Sequence, residues 1–223
     1  LARRTLLAAM GAGGGALLSS ATSTVALAQA SDAGAPVEEP KGPPASAGVA
    51  AQAVDKWKDP ILRISHEVWQ NAELSLNEIV SHQIHIRELE AAGFTITSRG
   101  TSGVPTAFIA EWKQGTGGPL VGYLPEYDAL PGLGNAAEPR QTPGPKGVEV
   151  GHGCGHNMLG AGCTGAAFAL KEMMQAAGTP GTIRVYGCAA EEVEGAKVYM
   201  ARDNLFADLD AALAWHPAPL AGT

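Results

Sequence analysis

Cysteine and histidine are scarce in this chain, with three and six among 223 residues. Three cysteines, Cys154, Cys163 and Cys188, are an odd number, so a fully paired disulfide framework is excluded and at least one thiol is left for other chemistry. Positive charge is also short: 15 Lys and Arg stand against 22 Asp and Glu, a net charge of −7. Nucleic-acid binding demands clustered basic side chains, and this balance argues against it. A strongly apolar run is missing as well. The longest candidate, at the amino terminus, is so diluted by Gly, Ser and Thr that it falls short of the ~20 strongly apolar residues a spanning helix needs, so no stable membrane insertion is expected. What remains is 45% hydrophobic, ordinary for a protein with a sizeable core.

The amino-terminal stretch "LARRTLLAAMGAGGGALLSSATSTVALAQA" joins an arginine pair, Arg3 and Arg4, to a modestly apolar region and an A-x-A end. That is the pattern of a twin-arginine signal peptide over residues 1–30, which predicts a periplasmic or secreted protein. Residues 31–52 are rich in Pro, Ala, Gly and Ser and read as a disordered linker. Folded sequence is expected from residue 53.

Beyond it, a helix is expected in "DKWKDPILRISHEVWQNAEL", with Pro60 near its first turn. Ser75 and Glu78 have the spacing of a capping box opening a second helix that ends at Gly93. His82 and His85 on it read as surface or packing residues. Apolar runs at 106–112, 120–124, 182–188 and 211–215 then alternate with helical stretches at 157–178 and about 195–205. This alternation predicts an α/β fold with a largely parallel sheet and flanking helices.

The chemistry follows the strands. After 120–124 come Glu126 and Asp128, after 182–188 come Glu191, Glu192 and Glu194, and after 211–215 comes His216. Between them, "GHGCGH" places His152, Cys154 and His156 on a glycine-rich loop that leads into a helix. Ligands of open α/β sheets bind beyond the carboxyl ends of the strands. Thiolate, imidazole and carboxylate gathered there are the donor set of zinc or a similar transition metal. A helix start would favour the Cys154 thiolate. Of two adjacent glutamates, one can bind metal while the other takes a proton from water. Cys163 and Cys188 read as buried thiols.

"GHGCGHNMLGAG", "EYDALPGLG", "VYGCAAEE" and "AWHP", in this order and spacing, resemble the zinc-dependent amidohydrolases and metallopeptidases of the aminoacylase and carboxypeptidase type, in the aminobenzoyl-glutamate hydrolase-like branch. The resemblance covers about residues 54–223. It implies a catalytic domain with two divalent metal ions, zinc first and manganese second. It implies Cys154, His156, Glu192 and His216 as metal ligands, Glu191 as general base and Asp128 as a support of the site. Glu126 stands where other branches have histidine or aspartate, and its role is left open. The implied substrate is a small N-acyl amino acid or aminobenzoyl-glutamate-like amide. In that family a lid domain and the second half of the catalytic domain follow, the lid commonly making a homodimer. On this reading the chain is an incomplete catalytic domain without its lid, and an inactive one by itself. Two rival readings are an exported metal-binding protein without catalysis and an inactive truncated product.

Overall fold

The structure, a computed structural model, describes residues 46–216. The signal peptide expected at 1–30 and most of the expected linker lie outside the described residues, as do residues 217–223. The end of that linker is helical: α1 covers Ala47–Lys56, ahead of the expected folded boundary. After Trp57 the chain continues as α2, Lys58–Asn71, with Pro60 in its first turn, where no intrahelical N–H is forfeited. Trp57 packs on Phe168, ring centroids 4.9 Å apart, and so ties both helices to the core.

The next helix departs from the capping-box expectation. α3 spans Ser81–Ala91, and neither Ser75 nor Glu78 caps it. Its first-turn donors go instead to Glu73, which accepts from the Ser81 amide at 2.8 Å and from the Ser81 hydroxyl at 2.8 Å. The spacing S-x-x-E is present, but both side chains are committed elsewhere in the fold.

A five-stranded sheet follows, built from β1 (Thr95–Arg99), β2 (Phe108–Gln114), β3 (Leu120–Tyr123), β6 (Gly181–Gly187) and β7 (Ala211–Leu213). The order is β1-β2-β6-β3-β7. β6, β3 and β7 are parallel, as the α/β alternation predicts, while β1 and β2 extend the sheet with antiparallel pairings. The sheet is therefore mixed. Two short strands, β4 (Leu130–Pro131) and β5 (Val150–Gly151), pair outside it and close the base of the 132–149 loop. Between β5 and β6 runs α4, His156–Ala177; α5, Ala196–Arg202, follows β6.

β6 is the hub. Ile183 and Val185 are fully buried, and across the strand Arg184 pairs with Glu111 and Asp208 while Tyr186 donates to the Leu205 carbonyl at 2.6 Å. Phe108, Phe168, Tyr127 and Leu89 complete a core in which Cys163 and Cys188 are also buried, in keeping with their reading as structural thiols.

α4 comes close to its neighbours at glycines. A Cβ on Gly160 would sit 2.2 Å from the Glu126 carbonyl oxygen, whereas one on Gly162 meets nothing within 4 Å. Alanine is the better helix former by about 1 kcal/mol. Gly162→Ala should therefore stabilise the fold by up to ~1 kcal/mol, while Gly160→Ala should destabilise it by about 1–3 kcal/mol through overpacking. Urea unfolding of the two variants checks the opposite signs.

Under Gly160 lies His85, wholly buried, its Nδ1 2.9 Å from the Thr164 hydroxyl. Burial away from water pushes its pKa down to about 3. The folded protein thus holds a neutral imidazole where the unfolded chain takes up a proton below its ordinary value of about 6.5. The contribution is nil above that value, and stability is lost as pH falls through the window from 6.5 to 3. Between pH 7 and pH 5 the group should cost about 2 kcal/mol. The His85→Asn variant should lose correspondingly less over that interval in denaturant titrations; an equal loss would remove His85 as the cause.

Candidate metal centre

The three parallel strands end on the same edge. β3 runs on to Glu126 and Asp128, β6 to Glu191 and Glu192, and β7 to His216. α4 starts at this edge with His156, its first residue, after Gly155 turns the chain with φ +81°. Cys154 lies in that turn.

His156 is the centre of the cluster and is fully buried. Its Nδ1 is 2.9 Å from Asp128 Oδ1 and 3.0 Å from the Asp128 carbonyl, two acceptors that assign the ring proton to that nitrogen. Asp128 Oδ2 in turn accepts from the Ser75 hydroxyl at 2.8 Å and the Glu192 amide at 2.9 Å. The opposite nitrogen, Nε2, faces three carboxylates: Glu126 Oε2 at 3.3 Å, Glu192 Oε1 at 3.7 Å and Glu191 Oε2 at 3.8 Å. Cys154 Sγ is 2.9 Å from His216 Nε2.

Two ligand-like groups result, each with its donor atoms within 4.8 Å of one another: Cys154, His156 and His216, and Glu126, His156 and Glu191. Four of the six residues implied by the resemblance, Cys154, His156, His216 and Glu191, fall in these groups, and Asp128 and Glu192 lie beside His156 at 2.9 Å and 3.7 Å. Distance alone does not separate Glu191 from Glu192. Glu126 joins them, and the signal for it was its position after an apolar strand, the same as for the others. Its Oε1 is bonded by Lys197 Nζ, a partner on α5 to which no pattern along the chain points. His152 is not in the cluster; its Nε2 lies 3.2 Å from the Val68 carbonyl and anchors the loop to α2, and burial pushes its pKa down to about 4.

The electrostatics are those of a site built for a cation. Glu126 Oε2, His156 Nε2 and Glu192 Oε1 are buried and have no hydrogen-bond partner. Unpaired buried acceptors are costly, and a cation bound among these three would satisfy them together. Burial opposes protonation of His156, but the Asp128 hydrogen bond and charge outweigh it and raise its pKa. Burial also raises the Asp128 carboxyl, and the bonds from His156, the Glu192 amide and Ser75 overcome that and hold it below its ordinary value. The Cys154 thiol is pushed up to about 11 by burial and by Glu192, with Glu191 and Glu126 adding to it. This reverses the expectation from the helix start, because burial and the nearby carboxylates both disfavour the thiolate. A bound divalent cation inverts that local sign and favours the thiolate. The donor set of thiolate, imidazoles and carboxylates fits zinc.

Known proteins share both motif region and fold. Residues 126–222 match peptidase family M20/M25/M40. The chain is 43% identical over 159 residues to a p-aminobenzoyl-glutamate hydrolase subunit of Escherichia coli, a match covering 71% of this chain and 32% of that protein. It is 30% identical over 178 residues to the mouse Xaa-Arg dipeptidase, covering 76% of this chain and 37% of that one. The chain thus spans about a third of the length of the curated relatives it matches. In fold it is similar to a dinuclear metal binding peptidase of the M20 family from Bacillus subtilis, at TM-score 0.60 and 23% identity over 76% of this chain and 44% of that chain. The aminobenzoyl-glutamate utilization protein of Klebsiella pneumoniae aligns at TM-score 0.55 and 16% identity over 76% of this chain and 46% of that chain.

Proposed function

We propose that the complete protein hydrolyses the amide bond of a small N-acyl amino acid, with aminobenzoyl-glutamate as the leading candidate, using two divalent cations held at this strand edge. One observation carries the reading: three buried, unpartnered acceptor atoms, on Glu126, His156 and Glu192, converge beside Cys154 and His216. The activities for which the relatives are named support it. Cys154, His156, Glu192 and His216 would hold the metal, zinc or else manganese, and Glu126 is placed to join them. Bound there, the cations supply Lewis acidity toward a water and a substrate carbonyl.

The chain's own groups do the rest. Asp128 fixes the His156 ring so that Nε2 faces the cluster. Glu191, the more exposed of the two adjacent glutamates, takes the proton of the attacking water and returns it to the leaving amine. A cavity of about 590 Å³ between Trp69, His66 and Leu133, against His152 and Gly153, offers an aromatic acyl group a place beside the Cys154 loop. The test is to load the complete protein with zinc or manganese and assay aminobenzoyl-glutamate and simple N-acyl amino acids. Stoichiometric metal without turnover on any of them would favour the rival metal-binding reading.

Assembly and location belong to the same proposal. The Escherichia coli relative is named as a subunit, which supports association with a further polypeptide, a second copy of this chain being the first candidate. No helix among the described residues is long and apolar enough to cross a membrane. The Arg3 and Arg4 segment is proposed to direct twin-arginine export after folding, which lets Cys154 meet its metal in a reducing compartment. Changing both arginines to lysine should leave precursor in the cytoplasm; undiminished export would point to a different route.

A further inference from the structure

The residues that look like a capping box, Ser75 and Glu78, are both turned inward. Ser75 donates to Asp128 Oδ2 at 2.8 Å. Glu78 is fully buried between two loops, with Oε2 accepting from the Thr106 hydroxyl at 2.6 Å and Oε1 accepting from the Ala190 amide at 2.6 Å. Ala190 immediately precedes Glu191 and Glu192, and it holds φ at +53°, a left-handed conformation that costs an alanine free energy. Its carbonyl accepts from the amides of Glu194 at 3.0 Å and Gly195 at 2.6 Å, so the backbone at this residue is the pivot of the whole loop. The segment that carries Glu78 is strained too, with Leu76 at φ +67°, and it is pinned to the Asp128 loop where the Ala129 amide donates to the Glu73 carbonyl at 2.8 Å. Such strain persists only where surrounding bonds enforce it.

We propose that Glu78 is a positioning residue for the two adjacent glutamates: its carboxylate locks the Ala190 amide and thereby aims Glu191 and Glu192 at His156. The inference rests on the metal-hydrolase reading for its effect on turnover, and on geometry alone for the lock. What matters is reach rather than charge. A glutamine at 78 accepts from the Ala190 amide through its carbonyl and donates to Thr106, whereas an aspartate is one methylene too short to hold both.

The experiment compares wild type, Glu78→Gln, Glu78→Asp, Glu78→Ala and the double variant Glu78→Ala/Ala190→Gly in the complete protein loaded with cobalt(II). Aminobenzoyl-glutamate kinetics and the visible cobalt spectrum are read, together with the Ala190 amide proton shift. Misplacing a catalytic group by about 1 Å costs on the order of 100-fold. The Asp and Ala variants should lose about that factor in kcat with KM within about threefold, and the Ala variant should change the cobalt spectrum. Glu78→Gln should stay within about fivefold of wild type, and glycine at 190, which adopts positive φ without strain, should recover about tenfold of the Ala loss. Should the Ala variant not fold, the Asp and Gln pair decides. Wild-type turnover in Glu78→Asp, or a Gln variant as damaged as Asp, overturns the proposal. If wild type neither binds cobalt nor turns over substrate, the hydrolase reading fails separately, and the lock is judged on the Ala190 proton. A downfield resonance that moves upfield in Glu78→Asp sustains the lock, and an identical shift in both proteins overturns it.

Discussion

Replacing Glu191 with glutamine is expected to lower kcat of the complete protein about 1,000-fold while bound metal stays unchanged, since a positioned general base contributes about 100- to 10,000-fold. The neighbouring replacement, Glu192→Gln, is expected to lower metal occupancy as well as turnover. The contrast matters because the structure sets the two carboxylates at nearly equal distances from His156 Nε2, 3.8 Å and 3.7 Å. Burial separates them: the Glu191 side chain is 34% exposed and the Glu192 side chain 20%, and only Glu192 has a buried oxygen without a partner. A base must meet water and substrate, whereas a ligand is better enclosed. Metal analysis alongside kinetics on both variants checks the assignment. Loss of metal in Glu191→Gln with full occupancy in Glu192→Gln would exchange their roles.

The second large effect is on metal itself. Cys154→Ser should weaken zinc binding more than about 100-fold, because serine keeps its proton near neutral pH and offers a harder, neutral donor. The protein fold should survive, since Cys154 is only partly buried and its side-chain neighbours, His216 and Glu192, belong to the site rather than to the core. Competition titration with a chromophoric chelator measures the change, and circular dichroism reports the fold. Equal affinity in the serine variant would remove Cys154 from the ligand set and with it the argument for zinc over manganese.

Much of this centre could be read along the chain because parallel strands write their function at their ends. Glu126, Asp128, Glu191, Glu192 and His216 each follow an apolar run, and the glycine-rich loop announces Cys154 and His156. Residues in contact across the fold carry no such local mark. Lys197 lies on a different element from Glu126, and nothing near either residue names the other. Ser75 and Glu78 show the opposite problem. Their spacing is that of a helix cap, yet Glu73 caps α3 and frees them to brace Asp128 and Ala190. β1, "TITSR", was also hidden, since a half-exposed edge strand leaves little apolar alternation to detect. The apolar run at 106–112 does mark β2, but its direction against β6 is antiparallel, which an apolar run alone does not specify.

The strand order has a consequence for how the chain is made. β6 sits between β2 and β3, so neither can acquire its main neighbour until residues 181–187 exist. On a ribosome, everything up to residue 187 must emerge before the sheet can zip. Until then α1 to α4 and the β1–β2 and β4–β5 pairings are the elements available among the described residues. Contacts spanning such long sequence separations form slowly, and the half-made sheet is the species that would meet chaperones or aggregate. The strand that joins the two halves of the sheet also carries Glu191 and Glu192 at its end, so closing the core and delivering these two acids to the metal cradle are a single event.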